Sequence, residues 1–195
     1  MKRLFIIALT SLIAISSFAQ EHLKVKGVPI DGNVDSFIKA LEATGLKKDA
    51  VLSQAVDSPI LIGDFAGLSD CKFSFLNTED GTVCKVLIIS EDFTGWSSTK
   101  SKYRDLKDLL KTKYEVTNSF EYFSSPYYEG DGYELSAIRQ DKGTYKTFFK
   151  CDEGYIVIEI NASSTSKGYL TIMYEDTINM ERFSQERDKK MADDI

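Results

Sequence analysis

The feature that most constrains this chain is a pattern that occurs twice. "CKFSFLNTEDGTVCKVLII" (71–89) and "TYKTFFKCDEGYIVIEI" (144–160) each set an aromatic-rich run before an acidic-glycine turn and a β-branched run. In the first copy Cys71, Phe73 and Phe75 alternate with Lys72 and Ser74, which puts one buried and one wetter face on a strand. Asp80-Gly81 is strong hairpin chemistry, because glycine accepts the positive φ that a tight turn needs. Both copies therefore predict antiparallel hairpins, and each is preceded by an amphipathic segment. In "DGNVDSFIKALEATGL", Val34, Phe37, Ile38 and Leu41 recur at the spacing of one helical face, with Asp31 or Asn33 as cap and Gly45 as stop. In "SSTKSKYRDLKDLLKTKY", Tyr103, Leu106 and Leu110 do the same.

The fold class expected is α+β, with two tandem helix-plus-antiparallel-sheet units packed together. Their bounds are 20–93 and 94–176, with a charged tail at 177–195 expected as a short helix fraying into an acidic end. "HLKVKGVPI" reads as a short strand, and 59–67, 71–77 and 82–90 as the strands of the first unit. In the second unit a strand over 116–123 leads to "SSPYYEGDGYEL", then to "YELSAIRQ", "TYKTFFK", "GYIVIEI" and "GYLTIMY", all grouped with the strands. Trp96, between the units, is read as a wedge fastening helix to sheet.

Residues 1–19 have the form of a secretory signal peptide: Lys2 and Arg3, an apolar run from Leu4 to Ile15, and Ser17-Phe18-Ala19 before a cut at Gln20. The run is short for a spanning helix, and no cysteine near the cut could take a lipid. The expected location is periplasmic or secreted. Of 24 basic and 30 acidic residues, Lys2 and Arg3 leave with the leader, so the mature chain carries −8. That charge repels phosphate backbones and anionic headgroups, so neither nucleic acid nor membrane insertion is expected. Three cysteines, Cys71, Cys84 and Cys151, leave at least one thiol unpaired. Cys71 and Cys84 fall toward opposite ends of the hairpin, too far apart for a direct bridge, and are expected as buried thiols, with an intramolecular disulfide as the alternative.

The only histidine, His22, lies beside the expected mature N-terminus and is read as incidental, so Ser-His-acid, Cys-His and common zinc chemistries are not expected. Phosphate-cradling glycine motifs are missing from the sequence, and no cofactor or metal site is expected. The candidate binding residues are Tyr127, Tyr128, Glu129, Asp131 and Tyr133, in a segment rich in tyrosine, acid and glycine. Calcium binding of the EF-hand kind fails there, since Tyr133 stands where a third oxygen ligand is wanted and Gln140 at the bidentate position, which leaves open only a looser site of Glu129, Asp131 and Glu134. Tyrosines give contact area at low entropy cost, and carboxylates could hold sugar hydroxyls. Packing of a shaped turn is the default reading, and recognition of a protein, peptide or glycan the alternative.

"HLKVKGVPIDGNVDSF", "GDFAGLSDC", "SKYRDLKDLLKTKY", "PYYEGDGYEL" and "GYLTIMYEDTIN" resemble uncharacterised secreted proteins of Bacteroides-type bacteria. Helix followed by antiparallel sheet, twice, is also similar to the architecture of the β-lactamase inhibitory protein. These resemblances imply an exported tandem-repeat fold without an established activity. "DTI" (176–178) resembles the O-glycosylation acceptor pattern of that bacterial group. The function expected is a non-catalytic protein- or peptide-binding module of the envelope, with glycan binding as alternative and a carboxylate-dependent hydrolase behind both.

Overall fold

A computed structural model describes residues 21–193, so the signal-peptide reading of 1–19 lies outside the described residues. In chain order the elements are β1 (Lys24–Val25), β2 (Val28–Pro29), α1 (Val34–Glu42), β3 (Lys47–Lys48), α2 (Ala50–Ala55), β4 (Leu61–Phe65), β5 (Leu68–Asn77) and β6 (Val83–Ile89). There follow β7 (Phe93–Thr94), α3 (Trp96–Lys111), β8 (Glu115–Phe123), α4 (Glu134–Arg139), β9 (Gly143–Cys151), β10 (Gly154–Ala162), β11 (Lys167–Asp176) and α5 (Thr177–Asp193). The fold is mixed helix and sheet, built on one large antiparallel sheet.

The strands after α1 and those after α3 do not form separate layers. They join through β6 and β11 in a sheet ordered β3-β4-β5-β6-β11-β10-β9-β8, with β7 pairing β11. Phe73, Val86, Ile88, Ile172, Ile158 and Phe149 are fully buried on one side of it. Onto that side α1 brings Phe37, whose ring lies 5.7 Å from that of Phe75, and α3 brings Tyr103, whose hydroxyl bonds Thr147. Helix α1 starts where Asn33 caps it, its side chain accepting from the Asp35 amide. Trp96 wedges against Phe123 and Tyr145 at centroid distances of 5.4 and 4.7 Å, which matches the fastening role read from the sequence.

Three expectations are corrected. "YELSAIRQ" is not sheet: Glu134–Arg139 form α4, where Leu135, Ala137 and Ile138 bury at helical spacing. The helix in the tail is longer than expected, since α5 spans Thr177–Asp193 and its first turns are tethered to the β5–β6 hairpin. Its Asn179 amide group donates to the carbonyls of Ile30 and Val83, both at 2.9 Å, and its Arg182 pairs with Asp80. Thr78 and then Arg182 hold the Asp80 carboxyl below the usual range.

The third correction concerns His22. Its Nδ1 lies 3.1 Å from both carboxylate oxygens of Asp176, whose side chain is fully buried, and its Nε2 lies 3.8 Å from Asp31. Asp176 also accepts from the amides of Leu23 and Asn179, both at 3.0 Å. A buried carboxylate requires such partners, and the histidine supplies one from 154 positions away. Asp176 of "DTI" is thus a structural carboxylate at the start of α5.

Cys71, Cys84 and Cys151 are free thiols, the first two fully buried. Cys71 lies opposite Gly63 of β4, and the Cys84 thiol donates to the Leu76 carbonyl near the hairpin turn, so the two sit at different ends of it. Burial, above all, pushes each thiol up to about 11 from the ordinary 9.0. At pH 8 the thiolate is then about one part in a thousand of each. Native protein is expected to resist iodoacetamide over an hour at pH 8 and to take up three equivalents once unfolded in guanidinium. Rapid native alkylation of Cys71 or Cys84, read by peptide mass, would contradict the burial of these two thiols.

Candidate functional site

Between β8 and α4 the tyrosine-rich segment turns through Gly130 and Gly132, at φ of 91° and 79°. That backbone brings the five predicted residues into one loop, and it also employs their polar groups. Asp131 accepts from the amides of Tyr128 at 3.0 Å and Tyr133 at 2.7 Å, so both oxygens stabilise the turn. Glu129 pairs with Lys100 through one oxygen and accepts from the Tyr145 hydroxyl through the other, at 3.2 Å. The Tyr127 hydroxyl accepts from Gln140 at 3.0 Å. Only Tyr128 and Tyr133, 65% and 63% exposed, offer free rings.

Behind the loop, a cleft of about 640 Å³ separates it from α3, lined by Trp96, Lys100, Arg104, Glu129 and Glu134 among others. Residues 96, 100 and 104 are four apart, hence on one helical face. Lys100 is nearly buried, with its ammonium 5.9 Å from the Trp96 ring centre and 5.4 Å from that of Tyr145. Its hydrogen bond holds the Glu129 carboxyl below the usual range, whereas burial and the Glu129 charge push the Tyr145 hydroxyl up. Glu134, buried, accepts from the Gly130 amide at 2.8 Å. Lys100 was not singled out from the sequence, and Glu134 only as a third acid beside Glu129 and Asp131. The available signal was a lysine one turn beyond Trp96 on the apolar stripe. Among the described residues no cluster of three or more His, Cys, Asp or Glu side chains is arranged to hold a metal.

A larger surface lies on the far side of the sheet. The helix contacts described above fall on the side of Phe75, Thr147 and Gly168, the last packed against Thr99 and Leu135. Strand side chains alternate, so the next residue of each strand faces away from those helices. Register then aligns three rows. The central one runs Ser74, Leu87, Met173, Val157, Phe148, Asn118 across β5, β6, β11, β10, β9 and β8. To one side runs Lys72, Ile89, Thr171, Glu159, Lys146, Phe120, and to the other Leu76, Lys85, Glu175, Tyr155, Lys150, Glu115. Lys85 pairs with Glu175 at 2.9 Å and Lys146 with Glu159 at 3.1 Å. An apolar stripe is thus flanked by rows in which Lys85–Glu175 and Lys146–Glu159 close ion pairs, while Lys72, Lys150 and Glu115 stand outside them.

Comparison with protein-family models, with curated proteins and with solved structures finds no match to the chain. The geometry itself must therefore argue for function. No helix among the described residues is long and apolar enough to cross a membrane.

Six strands at about 4.8 Å spacing and roughly 20 Å of strand length present on the order of 600 Å². A standard protein interface takes about 800 Å² from each partner, with an apolar centre and a polar rim. The open face has about three-quarters of that area and the same arrangement. None of its residues was singled out as a candidate, because the rows exist only once β6 and β11 pair.

Proposed function

We propose that this chain is an exported, non-catalytic binding module that docks a protein partner on the open face of its sheet. The observation that carries the reading is the apolar row of half-buried Leu87, Met173 and Phe148 around buried Val157, between rows that hold the ion pairs Lys85–Glu175 and Lys146–Glu159. Ion pairs already closed within the face need no matching charge on the partner, so apolar contact can supply the affinity. Export rests on the leader-like residues 1–19. The helix-then-strands order, occurring twice, supports an architecture of tandem repeats similar to the β-lactamase inhibitory protein.

Glycan recognition at Tyr128 and Tyr133 is the second reading, favoured by their exposed rings. It is the weaker one, since the carboxylates that would hold sugar hydroxyls are engaged by Lys100, Tyr145 and two backbone amides. The same engagement of Glu129 argues against a carboxylate hydrolase in the α3 cleft.

A photo-crosslinking side chain at Met173 is expected to yield one dominant protein adduct in cells that make the chain. Met173→Glu is expected to reduce recovery of that protein at least tenfold while leaving the fold intact by circular dichroism. Adducts from Tyr128 and none from Met173, or a hit on a carbohydrate array lost in Tyr128→Ala, would refute the open-face reading.

A further inference from the structure

The two edges of the sheet are built differently. The β3 edge is two residues long, Lys47 and Lys48, and both are exposed. Short, charged edges are how natural sheets discourage further pairing. The β8 edge is nine residues long, "EVTNSFEYF", without proline or lysine, and eight of these residues pair with β9 on the other side. Among the described residues nothing pairs with its outer side.

Hydrogen bonds identify which groups face outward. The Ser119 amide bonds the side chain of its neighbour Asn118 at 2.9 Å, whereas the Ser124 amide bonds the Lys142 carbonyl beside β9. Backbone groups alternate between the two edges of a strand, so those of Ser119, Glu121 and Phe123 point to the free edge. The flanking side chains alternate as well. Phe120 and Tyr122, 40% and 51% exposed, lie on the open face, and Ser119 and Glu121 lie on the helix side, where Lys107 reaches both. The second oxygen of Glu121 has no partner among the described residues.

We infer that the β8 edge takes an extended peptide as an added antiparallel strand, one that alternates apolar side chains against Phe120 and Tyr122 with a basic side chain opposite Glu121. A second copy of this chain fits poorly. Every two-fold pairing that keeps 118–123 regular sets the two Glu121 carboxylates directly or diagonally opposite, and like charges across a pair destabilise it. A cation opposite Glu121 reverses that sign. Main-chain bonds supply affinity and alternate side chains specificity in this mode of recognition.

This inference rests on the reading of the chain as a binding module, but not on the open face as its docking surface. The probe is a fluorescein-labelled nine-residue peptide alternating valine and lysine, followed by anisotropy at 150 mM salt. In an antiparallel pair the residue opposite Glu121 directs its own N–H at β8, so lysine amides form the ladder. N-methylation of the lysine amides is expected to weaken binding at least thirtyfold, and N-methylation of the valine amides less than threefold. Ser119→Pro, which removes an outward amide that no ladder bond uses, is expected to weaken it at least tenfold, and Glu121→Gln severalfold. Met173→Glu is expected to leave it within twofold, which separates failure of this inference from failure of the open-face reading. Equal effects of the two N-methylated peptides, no saturation below 1 mM, or unchanged affinity in Ser119→Pro would overturn the inference. So would concentration-dependent dimerisation of the free protein that Ser119→Pro abolishes.

Discussion

Asp176→Ala is expected to lower the melting temperature by about 10 °C. The side chain is fully buried where β11 passes into α5, and it gathers His22 and the amides of Leu23 and Asn179. Truncation leaves three donors without their acceptor in a site that water does not reach readily. Removing one member of a buried, hydrogen-bonded charge pair costs about 3 to 5 kcal/mol. The lower figure applies here, because His22 keeps one-fifth of its side chain exposed. In a chain of this size each kcal/mol moves the midpoint by about 2–4 °C. His22→Ala is expected to cost less, about 2 kcal/mol, since Asp176 retains two backbone donors. Calorimetric midpoints of both variants within 2 °C of the parent would remove His22 and Asp176 from any structural role.

Gly154→Ala is expected to cost about 3 kcal/mol at the same corner. A Cβ there would stand 2.1 Å from the Glu175 carbonyl oxygen and 3.2 Å from Leu23. Backbone cannot rotate aside as a side chain can, so the end of the β10–β11 ladder must shift, in the upper range of overpacking costs. Gly154 is paired with Asp176, so the displacement also reaches the carboxylate that anchors His22. Gly130→Ala is the comparison: it has open space, and its cost is the left-handed backbone alone, about 1 kcal/mol. Chemical denaturation that ranks Gly130→Ala as the more damaging would show that the close approach at Gly154 is relieved cheaply. The Gly154 and Asp176 variants share neighbours, so their double mutant is expected to be less unstable than the sum.

Much of the candidate site was legible as a place and little of it as a role. Proline, glycines and tyrosines marked 124–135 as a shaped loop between elements, and the loop is there. The roles of Glu129 and Asp131 were not legible. A carboxylate looks the same in sequence whether it faces solvent, a backbone amide or Lys100 on another element. "YELSAIRQ" misled for a related reason: six residues are too few for a helical period to stand out from strand alternation. His22 was misjudged because proximity to a chain end says nothing about which groups the fold brings to it.

By itself, the sequence determined the amphipathic faces of α1 and α3, the hairpin at Asp80-Gly81, and the burial of Cys71 and Cys84. Each is encoded within a dozen residues by a period of 2 or 3.6 and by turn chemistry. Only the tertiary structure decided that the strands merge through β6 and β11, which aligns the rows of the open face and leaves β8 as a bare edge. It also decided that Asp176 would hold His22 across 154 positions. Periodicity specifies which side of a strand is apolar. Which strand lies beside it, and which charge lies opposite, follows from long-range pairing that no local pattern contains.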